Sequence, residues 1–395
     1  MGMPTHLTNA EIEEFGREMD AIRNEVMDSR GAADRAYILK IIRIQRSLAL
    51  GGRIVMFLSF LLLPVSGLAY AGWPQFIAVL GLGAAMLGIA KILENMEIGH
   101  NVMHAQWDWM RDPNIQSNTW EWDNVCPSDQ WKHSHNVVHH TWTNVFGKDP
   151  DIGYGVLRVT PQQRWKPKYL IQPITNFFLN IWFQWGVAVH DVEPDKLLSG
   201  EKSIGSVKHL LRGIAQKAAR QLLKDYVLWP ALGALVTVPF SLALGADVGH
   251  VALLAFLWLV GANAIANLMR NIWSNVIIFC GHFPSGVQHF TKQEVEGETR
   301  ARWYVRQLLG SCNIGGGKIF HILSGNLSHQ IEHHLFPDMP SNRYPEVAPR
   351  VKAMAARYRL PYNTGSLTRQ FGTTTWTIWR LAFPGGGAHT AAASV

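Results

Sequence analysis

Apolar and polar positions separate into long blocks along this chain. Residues 54–90 contain no Asp, Glu, Lys or Arg. A membrane span needs about 20 residues at a rise of about 1.5 Å each. The block therefore predicts two helices joined at Ala71-Gly72-Trp73-Pro74, where Gly and Pro turn the chain and Trp suits an interface. A second block repeats the arrangement. Residues 226–246 are uncharged, Asp247-Val248-Gly249 turns the chain, and 248–269 is uncharged again. The pattern predicts an all-α integral membrane protein with four transmembrane helices in two hairpins, 54–90 and 226–269, carrying a helical cytosolic cap.

Between and around the hairpins the pattern is amphipathic. In 1–53, Thr8 and Glu11 form a capping box, and Leu7 can staple onto Ile12. From there to Arg53 the segment becomes increasingly basic through Arg35, Lys40, Arg43 and Arg46. These features predict cytosolic or interfacial helices, lying along the membrane surface or packing on the cytosolic part. Within the region 91–225, residues 174–189 are uncharged and largely apolar. Asn176, Asn180 and Gln184 recur every fourth position there, which predicts an interfacial helix with one polar stripe. Residues 270–384 form a second polar region, and 385–395 reads as a disordered tail in which His389 has no role.

Neither outer turn contains Lys or Arg, whereas the termini and the long middle loop are full of them. The positive-inside rule then places both termini and the loop in the cytoplasm, in a multi-pass protein of the cytoplasmic membrane. Composition alone hides this, with 48% hydrophobic and 16% charged residues and a mean hydropathy of +0.01. A net charge of +7 suits anionic headgroups or an acidic partner. No nucleic-acid motif accompanies it, so nucleic acid is not an expected partner. Cys126, Cys280 and Cys312 form no C-x-x-C pair, which argues against a disulfide framework and a cysteine zinc site.

The candidate chemistry lies in 17 histidines. His100 and His104 stand in GHNVMH, His135, His139 and His140 in HNVVHHTWTN, and His329, His333 and His334 in GNLSHQIEHHLFP. On a helix, i and i+4 share a face, so each cluster can aim two imidazoles at one point. The adjacent third histidine of the latter two can reach a second metal. Structural zinc takes four ligands and catalytic zinc three, so this many nitrogen donors argue for two metals. A lone H-x-x-x-H is weak evidence; three matched clusters at predicted membrane ends are strong evidence.

Asn263, Asn267, Asn271 and Asn275 repeat every four residues beyond the fourth span, with His282 on nearly the same face. That stripe must face protein or water, as ligand support or as interhelical glue. His282 is a ninth candidate ligand and Asn275 a supporting group. Glu94, Glu97 and Glu332 are candidate partners for the second ring nitrogens of bound histidines; solvated or salt-bridged roles compete for each.

HNVMH, HNVVHHTWTN and HQIEHHLFP resemble the three histidine boxes of membrane fatty-acid desaturases, over roughly residues 35–370. The text around them looks like the bacterial acyl-CoA desaturases of the actinobacterial stearoyl-CoA Δ9 kind. Many relatives carry Gln or His three residues before the paired histidines. That position is Gln330 here, while helical spacing favours His329, so both stay open. The resemblance implies two Fe ions, O2 as co-substrate, and removal of two hydrogens from a long-chain acyl-CoA or lipid-bound acyl group to give a cis double bond.

Electrons are expected in trans, from a ferredoxin or cytochrome b5-like carrier with an NAD(P)H reductase. No haem, iron–sulfur, flavin or nicotinamide motif is present in the sequence. Arg164, Lys166 and Lys168 around Trp165 are candidates for a CoA phosphate or that carrier, against a reading as interfacial residues reaching for headgroups. A membrane hydroxylase of alkane or carotenoid type is the nearest rival. A metal transporter is disfavoured because the predicted spans hold no ionisable groups.

Overall fold

The computed structural model describes residues 6–385, so the predicted tail, with His389, lies outside the described residues apart from Gly385. The first helix, α1 (Asn9–Asp28), starts where the capping box predicts it. Thr8 Oγ1 accepts the Glu11 N–H at 3.2 Å, and the Glu11 carboxylate accepts the Thr8 N–H at 2.7 Å. Leu7, Ile12, Phe15 and Met19 are buried against Tyr304, Val347 and Val351, so α1 packs on the polar part of the protein.

Four helical segments are long and apolar enough to cross a membrane: Ala32–Leu62, Trp73–Met103, Ile204–Leu244 and Val248–His282. They comprise α2 (Ala32–Ser59) with a short turn, α3 (Trp73–Leu93) with its extension, α6 (Ile204–Leu223) running into α7 (Trp229–Leu244), and α8 (Val248–His282). Each exceeds its charge-free block. The chain turns back directly after Leu62, so residues 54–62 are too few to span. Helix α2 therefore runs through the predicted boundary at 53/54 and carries Arg43, Arg46 and Arg53.

The hairpin partners meet closely. A Cβ on Gly83 would lie 2.8 Å from the Gly52 carbonyl oxygen, and one on Gly52 would lie 2.8 Å from that of Gly83. Only small residues allow this helix approach. Met56, Phe60, Phe76, Leu80, Val251 and Leu259 join the two hairpins in one apolar cluster, with Phe76 edge-on to Trp258 at 5.3 Å.

The spans are not free of charge, contrary to the sequence-based expectation. Lys91 Nζ reaches Asp225 at 2.9 Å and Asp123 at 3.1 Å. Asn267 donates to Asp225 at 3.1 Å, and Arg270 donates to the Asp123 carbonyl at 2.9 Å. Lys91, Asp225 and Arg270 sit just outside the charge-free windows but on the same continuous helices, and Asp123 meets them from a loop. Their burial is tolerated because each is paired.

The predicted interfacial helix is two short ones, α4 (Gln172–Ile181) and α5 (Phe183–His190). Trp182 breaks the ladder between them with ψ at 28°. Ile174, Phe177, Phe178 and Trp182 are exposed, while Gln172 and Gln184 turn inward. Neither piece is long enough to span. The rest of the cap comprises α9 (Arg300–Leu309), α10 (Gln330–Leu335), α11 (Tyr344–Arg357) and α12 (Leu367–Leu381). Two three-residue parallel strands, β1 (Asn313–Gly315) and β2 (Thr364–Ser366), tie α12 back to the centre.

Candidate metal centre

Four stretches bring the histidines together, and two of them are not regular α-helix. Residues Glu94–His100 and Lys132–His139 are wide π-type turns with i→i+5 bonding, a local form that recurs at functional sites. The first extends α3. The second hangs from the loop after it. His333 and His334 come from α10, and His282 closes α8.

The imidazoles converge in two adjoining groups. Ligand atoms of His100, His104, His135 and His333 all lie within 4.8 Å of one another, as do those of His139, His282 and His334. His140 joins the groups, its ligand atom lying within 4.8 Å of those of His333 and His334. Ring centroids are 4.7 Å apart for His104–His333, 4.8 Å for His282–His334 and 4.4 Å for His140–His334.

Which nitrogen faces inward is set by what holds the other. His139 Nδ1 lies 3.1 Å from both oxygens of Asp149. His100 Nδ1 lies 3.0 Å from Asn101 Oδ1, His334 Nδ1 3.1 Å from Gln307 Oε1, and His333 Nδ1 3.3 Å from the Tyr344 hydroxyl. Asp151 stands 3.9 Å from His135 Nδ1 and accepts from His190 Nε2 at 3.0 Å. Trp131 stacks on His135 at 4.4 Å. This is the outer hydrogen bonding that orients metal-bound histidine.

The inner nitrogens have no such partners. Nε2 of His104, His135, His139, His140 and His333 is buried without a hydrogen bond. Nε2 of His282 and of His334 face each other at 3.3 Å. Unpaired buried polar atoms are costly, and lone pairs turned on a common point fit a cation. Nitrogen donors of this kind suit transition-metal ions.

Electrostatics agrees. Burial, reinforced by mutual repulsion, holds His104, His140, His333 and His334 well below the usual histidine range, so they are neutral donors. His139 differs. Burial pulls it down, but Asp149 and Asp151 outweigh that and push it up to about 9.

Other expected residues fall elsewhere. His329 is not in either group. It lies in a tight turn before α10 with ψ at 55°, so the helical spacing that recommended it does not exist there. Its ring packs on His321 at 4.6 Å. Gln330 is the residue at the site, with Nε2 2.9 Å from His282 Nε2 and an unpartnered Oε1.

The glutamates contact none of the converging imidazoles. Glu94 accepts the Asp123 N–H at 3.0 Å. Glu97 accepts from Tyr37 at 2.8 Å, Asn326 at 3.0 Å and Ser341 at 2.7 Å, tying the first box to the third. Glu332 accepts from Asn313 and Tyr362, each at 2.8 Å, and burial pushes it up to about 7. Asn275 is buried, with an unpartnered Nδ2. Arg164, Lys166 and Lys168 are exposed, and Lys168 donates to the Gly155 carbonyl at 3.0 Å.

A narrow cleft of about 50 Å³ leads past His100, His135, His139 and His282, walled by Met96, Trp131, Tyr154, Phe183, Ile278 and Phe283. Tyr154 holds a left-handed backbone (φ 51°) and stacks on Phe279 at 5.5 Å.

The family model described as fatty acid desaturase matches residues 71–366. The chain belongs to the fatty acid desaturase family. It is 47% identical over 379 residues to a protein of Mycobacterium tuberculosis named NADPH-dependent stearoyl-CoA 9-desaturase, covering 96% of this chain and 82% of that one. It is 27% identical to the sn-1 linoleoyl-lipid 6-desaturase of Synechocystis over 73% of this chain and 76% of the relative. A third relative is the bovine fatty acid desaturase 3, 27% identical over 60% of this chain and 46% of the relative. The fold of this desaturase thus gathers seven of the eight box histidines, all but His329, and adds His282, with Gln330 beside it.

Helical spacing from the boxes points to none of Asp149, Asp151 and His190, which lie off the box helices. The signal was the Asp149-Pro150-Asp151 triplet ten residues beyond His139.

Proposed function

We propose that this desaturase introduces a cis double bond at C9 of stearoyl-CoA, using O2 and two external electrons. The observation that carries the reading is the convergence of buried, unpartnered ring nitrogens at the head of an apolar cleft. Two iron ions fit this donor set: His100, His104, His135 and His333 would hold one, and His139, His282 and His334 the other, with His140 between them. Bound there, iron supplies the O2 activation needed to remove hydrogens from methylenes that no general base can deprotonate.

The protein's own part is positioning. Asp149 and Asp151 hold His139 and His135 so that their inner nitrogens stay fixed, and Gln330 lies beside the inner nitrogen of His282. The cleft wall keeps water from the alkyl chain and presents one pair of methylenes to the imidazole cluster. For each double bond, the acyl chain loses two hydrogens while O2, two electrons and two protons give two waters. The mycobacterial relative's name supports stearoyl-CoA and NADPH as ultimate reductant. A small acidic carrier suits the basic face. The Lys/Arg-free outer turns support a cytoplasmic site.

Purified iron-loaded protein is given stearoyl-CoA, O2 and an NADPH-driven ferredoxin system, and the acyl products are resolved by mass spectrometry. Oleoyl product that disappears in His139→Ala and His333→Ala is the expected result. A hydroxystearoyl product, or no O2-dependent product, overturns the reading.

A further inference from the structure

A second cleft, of about 350 Å³, lies away from the histidines. It opens between α2, α3, the loop 121–123 and the middle of the third helical segment at Lys224. Arg53, Lys91, Glu94, Glu121, Asp123 and Lys224 line it. Its volume is in the range of small-ligand sites. Trp122 lines both clefts and so separates this one from the metal centre.

Most of its charges are satisfied within the protein. Lys91 pairs with Asp123 and Asp225, Lys224 with Asp123, and Glu121 with Lys217. Two groups are not. Arg53 meets no carboxylate among the described residues: one nitrogen donates to the Ala49 carbonyl at 2.9 Å, its guanidinium lies 4.1 Å over the Trp229 ring, and Nε is buried without a partner. Glu94 spends Oε1 on the Asp123 N–H at 3.0 Å and leaves Oε2 buried and unpartnered. The cleft thus offers one open cationic donor and one open carboxylate acceptor.

Its depth selects the ligand. At about 1.5 Å per residue, the Arg53 backbone lies about 14 Å from the Leu62 end of its span, inside a hydrocarbon layer of about 30 Å. By the same measure Lys91 lies about 27 Å from Trp73, and Lys224 about 30 Å from Leu244. The cleft therefore spans from the hydrocarbon to one membrane interface. An ionisable side chain at such depth is a functional feature and reaches toward headgroups.

We propose that this cleft is a lipid site for a zwitterionic phosphoethanolamine headgroup, with the phosphate on Arg53 and the ammonium on Glu94. The headgroup supplies one anion and one cation, matching the two open groups, whereas a purely anionic headgroup would leave Glu94 facing like charge. The site is separate from the acyl cleft and does not depend on the proposed reaction.

The test uses full-length delipidated protein titrated with phosphatidylethanolamine, phosphatidylglycerol or inorganic phosphate, with adducts counted by native mass spectrometry. Phosphatidylethanolamine should bind most tightly. Arg53→Gln should weaken it about tenfold or more, the scale of one hydrogen bond to a charged group. Arg53→Lys should recover part of that loss, which guards against misfolding as its cause. Glu94→Gln should bring phosphatidylethanolamine down toward phosphatidylglycerol. Phosphatidylglycerol or phosphate binding as tightly as phosphatidylethanolamine, or adducts indifferent to Arg53→Gln, would overturn the assignment.

Discussion

Replacing Asp149 by Asn changes one charge beneath the metal centre and little volume. In the wild type the carboxylate takes His139 Nδ1 at 3.1 Å, the Asn144 N–H at 2.7 Å and the Asp151 N–H at 3.0 Å. An amide keeps one acceptor and turns a donor toward these donors. It forfeits at least one hydrogen bond to a charged group, worth about 1.5–3 kcal/mol. Iron affinity should fall about 10–100-fold, the usual cost of losing a group that orients a ligand histidine.

The pH dependence sharpens the test. His139 is raised to about 9 in the metal-free protein, and a ligand must be neutral to bind. Metal uptake therefore displaces its proton, and affinity should rise about tenfold per pH unit between about 6.5 and 9. In Asp149→Asn the larger of the two raising charges is gone and only that of Asp151 remains, so that slope should flatten at lower pH. The assay is competitive iron titration against a chelator at several pH values. A variant with wild-type affinity and slope would refute the role given to Asp149.

Further outcomes follow from the packing and the charges. His329→Ala should retain iron and turnover, whereas Gln330→Ala should lower both; paired iron analyses and product assays decide between the two positions. Gly83→Val should destabilise by about 1–3 kcal/mol, because its Cβ has no room against Gly52 and Met56; thermal unfolding in detergent reads this. Lys91→Met should destabilise by less than the about 3–5 kcal/mol of a fully orphaned buried charge, because Lys224 at 3.7 Å and Asn267 at 3.1 Å still face Asp225, and adding Asp225→Leu should restore much of the loss. His139 contributes to metal-free stability fully below about pH 6.5, and that contribution is lost as pH rises through about 9. Melting temperatures of metal-free wild type should accordingly fall more over this window than those of Asp149→Asn.

The architecture was legible wherever composition forced it. Charge-free blocks and Gly-Pro or Asp-Gly turns located both hairpins, and the Thr8–Glu11 box located the first helix. Helix ends were less legible. A span is set by hydrogen-bond continuity and neighbours, so Arg53 and Lys91, each paired or stacked in three dimensions, lie on helices that a charge count cuts short. Within the site, eight of the nine histidines expected as ligands lie in the groups of converging imidazoles. His329 stands apart from them because the chain enters α10 only at Gln330. Asp149 and Asp151 were illegible by helical periodicity, being brought under the imidazoles by a loop, and Glu97 proved to brace three segments rather than a ring nitrogen.

The claim on which the account turns is that these eight imidazoles hold a pair of irons. Metal analysis of the purified protein, combined with Mössbauer spectroscopy after growth on 57Fe, tests it most directly. Two irons per chain with the spectrum of a magnetically coupled pair, and loss of that coupled signal in both His104→Ala and His282→Ala, are the expected results. A single iron, a zinc-filled site, or a pair untouched by either substitution would contradict it.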